Sequence, residues 1–130
     1  MRRAFSIRTT GRTEIQLVTD QVKDAVREIG IAEGLCVVYT PHTTAAIAIN
    51  EDADPDVLTD LTKALEKLVP DVRFKHGEGN SDAHFLSTLV GVSVTIPIEN
   101  ANLLLGRWQG IYFLEFDGPR TRTVSVHVVG

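Results

Sequence analysis

Three of the four histidines have the residue type and the placement that metal chemistry needs. His42 lies in a turn between two apolar runs, and His76 and His84 bracket a polar segment that contains two glycines. A neutral imidazole is a common ligand for divalent metals, and further ligands often come from distant parts of a chain. We therefore predict a divalent metal, zinc or magnesium, held by His42, His76 and His84. The alternative is that they are solvated loop histidines, because their spacing matches no standard zinc signature. His127 lies between two valines within a predicted strand and is excluded.

The segment Gly79-Asn80-Ser81 directly precedes a predicted helix. The free main-chain N–H groups at the start of a helix suit a phosphate or another anion. We predict that this segment, together with Thr43 and Arg120, holds the phosphate of a phosphorylated small molecule. The alternative for Asn80 or Ser81 is that its side chain only caps the helix.

Acidic side chains supply the candidates for proton transfer. Glu51 directly follows an apolar run, and Asp82 lies in the polar segment before His84. Either carboxylate can act as a general base or orient a histidine through a hydrogen bond. We assign Glu51, Asp82 and Arg120 to the catalytic group, although a solvated loop charge is the more common explanation of an acid such as Glu51. The expectation for Glu115 is a cross-strand ion pair with Arg120 or with a neighbour of Arg120.

Composition narrows the class of protein. The chain has 130 residues, 43% of them hydrophobic, and a net charge of −4 without any run of basic residues. Phosphate contacts of nucleic-acid binders need a concentrated basic surface, so we predict no nucleic-acid partner. No apolar stretch reaches the roughly 20 residues of a membrane span, and the basic N-terminus lacks the apolar centre of a signal peptide. These two features, together with the single cysteine Cys36, predict a cytoplasmic protein without a membrane partner.

The elements that must position these residues follow from periodicity. We predict one α+β domain over residues 1–130 in which two packed sheets are flanked by helices. Predicted strands cover residues 2–8, 12–17, 34–39, 43–49, 92–98, 110–116 and 120–129, the last two as a terminal hairpin through Asp117-Gly118-Pro119. Predicted helices are one that Thr19 or Asp20 caps and Gly30 ends, one that Asp54 caps and that ends before Pro70, and one over residues 82–90. Trp108 is expected as a core anchor or as a stacking surface.

Five sequence blocks, in this order, resemble the YjbQ-like family, which is often described as secondary thiamine-phosphate synthases. The blocks are Pro41-His42-Thr43-Thr44-Ala45, Asn50-Glu51 with Asp54-Pro55-Asp56-Val57, Glu78-Gly79-Asn80-Ser81-Asp82-Ala83-His84, Gly106-Arg107-Trp108-Gln109-Gly110-Ile111 and Glu115-Phe116-Asp117-Gly118-Pro119-Arg120. Together they extend over nearly the whole chain.

The resemblance implies a β-sandwich of about seven strands, a homotrimer and a polar pocket near subunit boundaries that the histidines line. It also implies a transferase that joins a pyrimidine diphosphate to a thiazole phosphate with loss of pyrophosphate. The family label itself calls this activity secondary. Two alternatives stay open: metal-assisted hydrolysis of a phosphate ester, and a non-catalytic trimer that binds a phosphorylated metabolite.

Overall fold

The computed structural model describes residues 1–130 and contains eight strands and three helices. In chain order they are β1 (Arg2–Arg8), β2 (Glu14–Leu17), α1 (Thr19–Ile29), β3 (Gly34–Tyr39), β4 (Ala45–Glu51), α2 (Pro55–Leu68), α3 (Ser81–Val90), β5 (Ser93–Glu99), β6 (Asn102–Leu103), β7 (Gln109–Glu115) and β8 (Thr121–Val129). The α+β class is confirmed. Only β6, a two-residue strand, has no counterpart among the predicted elements.

Helix α1 begins at Thr19, which is earlier than a helix capped by Thr19 or Asp20 could begin. Val18 is the N-cap and Thr19 is the first helical residue, so the prediction that Thr19 or Asp20 caps the helix is wrong. The Thr19 hydroxyl instead accepts a hydrogen bond from the main-chain N–H of Ile111 at 2.9 Å, which ties α1 to β7. Gly30 ends the helix in a left-handed conformation (φ 79°), as predicted.

Helix α2 follows its sequence signals closely. The carboxylate of Asp54 accepts the N–H of Asp56 at 2.9 Å, and Pro55 is the first helical residue. No residue of α2 is fully buried, since Leu58, Leu61 and Leu65 only partly cover the apolar surface beneath them. Neither α2 nor any other helix of the protein has the length and apolar character that a membrane crossing requires.

The strands form two antiparallel sheets, one of five strands in the order β1-β8-β3-β5-β6 and one of three strands in the order β2-β7-β4. The larger core cluster fills the space between the sheets and α1, and a smaller cluster lies under α2 and α3. The predicted terminal hairpin is wrong, because β7 belongs to the three-stranded sheet and β8 to the five-stranded sheet. The residues of β7 from Gly110 to Glu115 are all buried, so this strand needs cover on both faces and lies at the centre of the smaller sheet.

The chain therefore changes sheet several times, and three of these crossovers lie between β1 and β2, between β3 and β4, and between β7 and β8. Hydrogen bonds bring these three crossovers, residues 9–13, 40–44 and 116–120, to one end of the molecule. The N–H of Gly118 donates to the carbonyl of Arg12 at 3.1 Å, and the N–H of Phe116 donates to the carbonyl of Thr44 at 3.1 Å. A Cβ atom on Gly118 would lie 2.3 Å from the carbonyl oxygen of Gly11, so only glycine allows this approach.

Candidate functional site

A polar cavity of about 350 Å³ opens where the three crossovers meet. Apart from Pro41, the ten residues that line it are polar or charged; they are Pro41, His42, Thr43, Thr44, Glu78, Asn80, His84, Asp117, Arg120 and Arg122. A neighbouring cavity of about 500 Å³ shares Pro41, His42, Thr43 and His84 with it. Five predicted site residues thus meet in one cavity: His42, Thr43, Asn80, His84 and Arg120.

His42 is held by the main chain of strand β8. Its Nε2 atom accepts the N–H of Thr123 at 2.9 Å, and the nearby Thr40 hydroxyl donates to the carbonyl of Thr123 at 2.9 Å. The ring is half-buried. Burial first, and then the positive charge of Arg122, lower the pKa of His42 below its ordinary value. The neutral imidazole is therefore the favoured form at neutral pH.

A buried ion pair forms the wall of the cavity behind His42. Glu115 is fully buried, and its carboxylate accepts hydrogen bonds from Arg122 Nε at 2.8 Å, from Arg122 Nη2 and from the Thr9 hydroxyl at 2.7 Å. Arg122 Nη2 also donates to the Thr44 hydroxyl at 2.8 Å. Burial alone would raise the pKa of Glu115, but these hydrogen bonds outweigh it and hold that pKa below its ordinary value. The expected ion pair of Glu115 is thus made with Arg122, and it links all three crossovers.

Arg120 lies at the mouth of the cavity. Its Nη2 atom is 3.0 Å from Asp117 Oδ2, and its Nε atom donates to the carbonyl of Asp117 at 2.8 Å. Half of the Arg120 side chain stays exposed, so its guanidinium has N–H groups left for a ligand. Burial raises the pKa of Asp117, but the hydrogen bonds from Asn80 and Arg120 outweigh it and keep that carboxyl ionised.

The side-chain amide of Asn80 uses its nitrogen in a hydrogen bond but leaves its oxygen without a partner. Its Nδ2 atom donates to Asp117 Oδ2 at 2.9 Å, which fixes the orientation of the amide, whereas the buried Oδ1 atom has no partner. The side chain does not cap α3, so the capping alternative does not hold for Asn80. Gly79, at φ 78°, makes the left-handed turn that brings the chain to this position. A buried acceptor without a partner asks for a donor from a ligand or from water.

The three predicted metal ligands do not form one cluster. The rings of His76 and His84 lie 5.5 Å apart in an edge-to-face contact, and His84 lines the cavity while His76 does not. The Nε2 lone pair of His42 is already engaged by Thr123. No group of three or more His, Cys, Asp or Glu side chains is arranged to hold a metal ion. The three-histidine ligand set does not fit this arrangement, and binding of a divalent ion stays a prediction.

The two predicted catalytic carboxylates also lie away from the cavity. Glu51 is at the far end of β4 from Thr44, six residue steps beyond Ala45, which is about 20 Å along a strand. Asp82 faces Arg12, with Arg12 Nη2 3.0 Å from Asp82 Oδ1, on another side of the start of α3. The carboxylates that do line the cavity are Glu78 and Asp117. In the sequence, the only signal for Glu78 is that a glycine lies on each side of it, and the only signal for Asp117 is that it begins the predicted turn before Arg120.

Trp108 is not a core anchor. Its side chain is 55% exposed, and the guanidinium carbon of Arg107 lies 4.8 Å from the centre of its ring. The N–H of Asp52 donates to the carbonyl of Trp108 at 2.9 Å. Trp108 therefore belongs to the end of the molecule that carries Glu51, not to the cavity.

Fold and site together define a sheet sandwich with a polar cavity at its crossovers, and known proteins share this architecture. The profile described as UPF0047 protein YjbQ-like matches residues 3–130. A UPF0047 protein of Methanocaldococcus jannaschii is 48% identical over 97% of this chain and 92% of its own length. UPF0047 protein YugU of Bacillus subtilis is 46% identical over the full length of both chains.

Solved structures agree with the family match. An uncharacterized conserved protein of the YjbQ/UPF0047 family from Clostridium acetobutylicum has a TM-score of 0.94 and 50% identity, over 98% of this chain and 99% of its own. A hypothetical protein from Aeropyrum pernix has a TM-score of 0.95 and 39% identity, over 100% of this chain and 98% of its own. The chain belongs to the YjbQ-like (UPF0047) family.

Proposed function

We propose that this protein is an enzyme that binds a phosphorylated small molecule in the crossover cavity and transfers a group from it. The observation that carries the proposal is a cavity lined, apart from Pro41, by polar and charged residues, among which Arg120 keeps unused donors and Asn80 keeps one unused acceptor. Arg120 offers guanidinium N–H groups to phosphate oxygens, and Asn80 Oδ1 offers a buried acceptor. The substrate therefore combines a phosphate with a hydrogen-bond donor such as an amino or hydroxyl group.

A thiamine-phosphate synthase-like transfer is the reaction we favour. In it the bond from the pyrimidine methylene carbon to the diphosphate oxygen breaks, the thiazole nitrogen bonds to that carbon, and pyrophosphate leaves with the electron pair. Such a step depends on stabilising the leaving group, which is the role of Arg120 in this proposal.

The alternative hydrolytic reaction needs a base that activates water. The Glu115 and Asp117 carboxylates have lowered pKa values and are already paired with arginines, so both are weak bases. Only Glu78 and His84 are left among the lining residues for that role, so hydrolysis is the second candidate reaction. A protein that binds the phosphorylated metabolite without turnover remains the main alternative and is one outcome of the test below.

Charge in the cavity bears on the metal prediction. The lining holds two arginines and two carboxylates, so its formal charge is zero, and the nearby Glu115 adds one negative charge. The electrostatic field of these charges would therefore contribute little to the binding free energy of a diphosphate. We propose that it arrives as its magnesium complex, since magnesium is commonly bound through substrate phosphates and one or two carboxylates. Glu78, which lines the cavity and forms no ion pair in this structure, supports this form of metal dependence.

A homotrimer is part of the same proposal. Leu35, Tyr39 and Val129 lie on one face of the five-stranded sheet with 49%, 39% and 69% of their surfaces exposed. Exposed apolar side chains on one sheet face support a subunit contact. Light scattering coupled to size-exclusion chromatography measures the mass directly. A mass of one chain would contradict the trimer.

A cytoplasmic location is also proposed, from the unpaired buried thiol of Cys36.

The test of the function is a binding and turnover experiment on the purified protein. Calorimetry with inorganic pyrophosphate, with and without magnesium, should give binding that Arg120→Met weakens about tenfold or more, as loss of a charge-assisted contact predicts. Arg107→Met, which removes an arginine at the opposite end, is the matched control and should bind as the wild type does. Incubation with the pyrimidine diphosphate and the thiazole phosphate should release pyrophosphate and form the joined product. Binding without product would favour the non-catalytic alternative.

A further inference from the structure

The hydrogen bonds around Thr123 determine which nitrogen of His42 carries a proton. Both main-chain polar groups of Thr123 form hydrogen bonds with side chains of the β3–β4 crossover. Its carbonyl accepts from the Thr40 hydroxyl at 2.9 Å, and its N–H donates to His42 Nε2 at 2.9 Å. A ring nitrogen that accepts an N–H cannot itself carry a hydrogen. In a neutral imidazole the proton must then be on the other nitrogen, Nδ1.

We infer that His42 serves the cavity as a neutral hydrogen-bond donor, with its Nδ1–H directed to an oxygen of the ligand, and that it is not a metal ligand. The Nδ1 atom forms no hydrogen bond within the protein, and the ring lines both neighbouring cavities at this end of the molecule. Metal binding through Nε2 would require the Thr123 N–H to lose its acceptor in the interior of strand β8. The ligand class named here rests on the proposed function; the position of the proton does not.

The charges that face His42 support the same assignment. Arg122 comes from β8, Arg120 from the β7–β8 crossover and Glu115 from the end of β7, while His84 lines the same cavity from α3. Burial and the two arginines disfavour an imidazolium and outweigh the opposite effect of Glu115. A doubly protonated ring would also turn a second N–H toward the Thr123 N–H, which leaves two donors face to face.

The role of a neutral donor differs from that of a charged one. Arg120 supplies the positive charge at the mouth, and a neutral N–H beside it can recognise an oxygen without adding to that charge. The donor direction is fixed because Thr40 and His42, on either side of Pro41, both form a hydrogen bond with the main chain of Thr123. His42 therefore contributes to the specificity for an oxygen acceptor and not to the binding of a cation.

The tautomer can be read directly by long-range ¹H–¹⁵N correlation spectra of the full-length protein labelled with ¹⁵N-histidine. At pH 7 the His42 ring should give the pattern of a neutral imidazole protonated at Nδ1. Assignment follows from the signal that disappears in His42→Gln, with His127→Gln as the control on a histidine outside the cavity. A neutral Nε2–H ring, or an imidazolium at pH 7, would overturn the inference whatever the ligand proves to be.

Pyrophosphate affinity and zinc content separate the donor role from metal ligation. Glutamine can accept the Thr123 N–H through its oxygen and donate through its nitrogen, so His42→Gln should restore most of the affinity that His42→Ala loses, about tenfold or more. Circular dichroism checks that both variants are folded. A zinc content of one ion per chain that both substitutions abolish would overturn the inference. If the ring is protonated at Nδ1 but the wild type does not bind pyrophosphate, the proposed ligand class fails while the tautomer and the non-metal role stand.

Discussion

Substitution of Glu115 by glutamine gives the sharpest test of the ion pair that joins the crossovers. The change keeps the size of the side chain but removes the negative charge that faces Arg122. Arg122 has only 3% of its surface exposed. A guanidinium cannot lose its proton in a protein, so it would remain charged and buried without a counter-ion. Removal of one partner of such a pair costs about 3–5 kcal/mol of the free energy of unfolding. That is about a fifth or more of the stability of a typical domain.

The reverse substitution, Arg122→Met, should behave differently because a carboxyl group can take up a proton. Bringing Glu115 to its neutral form at pH 7 costs about 3.7 kcal/mol, from a reference pKa of about 4.3 and 1.36 kcal/mol per pKa unit. This value is the upper limit of the charge penalty in Arg122→Met. The penalty should fall by about 2 kcal/mol between pH 7 and pH 5.5, because the folded state of that variant then binds the proton more tightly than the unfolded state does. The Glu115→Gln variant has no such relief.

The assay is urea unfolding followed by circular dichroism at pH 7 and pH 5.5. Asp24→Asn is the control, since Asp24 and Arg27 form an exposed ion pair that contributes little. In the wild type the pKa of Glu115 lies below its ordinary value, so the pair stabilises the fold fully above that ordinary value and its contribution is lost as the pH falls through the folded pKa. A Glu115→Gln variant within 1 kcal/mol of the wild type, a value well below the estimate of about 3–5, would refute the reasoning. So would an Arg122→Met variant whose stability relative to the wild type does not change between the two pH values.

Three further outcomes follow from single contacts. Gly118→Ala should lower the melting temperature and weaken pyrophosphate binding together, because its Cβ would lie 2.3 Å from the carbonyl oxygen of Gly11; unchanged unfolding and binding would contradict the close crossover. Asp54→Ala should cost about 1 kcal/mol in urea unfolding through the lost cap of α2, with no change in pyrophosphate affinity, and an unchanged midpoint would count against the cap. Prolonged dialysis against EDTA should leave the melting temperature unchanged in the absence of ligand, because no three donors form a ready metal site, and a drop of several degrees would show a structural ion.

The local elements could be read from the sequence because their signals lie within a few residues. The cap of α2 needs only Asp54, Pro55 and the apolar stripe that follows them, and Gly30 ends α1 by its own conformational freedom. The same holds for the sequence blocks, which were sufficient for the family. The cap of α1 was predicted wrongly because the Thr19 hydroxyl has a partner in Ile111, 92 residues away.

The partners of the site residues could not be read in the same way. A two-sheet sandwich lets neighbouring strands in sequence pair with each other or cross to the opposite sheet, and short apolar runs look alike in both cases. The crossing of β7 to β8 is what turned the expected hairpin into a cavity wall and paired Glu115 with Arg122. The tertiary fold also brings Glu78 and Asp117 to the cavity and leaves Glu51 at the far end of β4.

The sequence by itself determined the class of fold, the helix limits set by local caps, and a set of polar blocks. Five residues of those blocks line one cavity: His42, Thr43, Asn80, His84 and Arg120. Only the tertiary structure decided which polar atoms are already satisfied. The Nε2 atom of His42 is used by Thr123, whereas Asn80 Oδ1 is unused. The physical reason is that a side chain's chemistry depends on which of its donors and acceptors are still free, and these contacts join residues far apart in the chain.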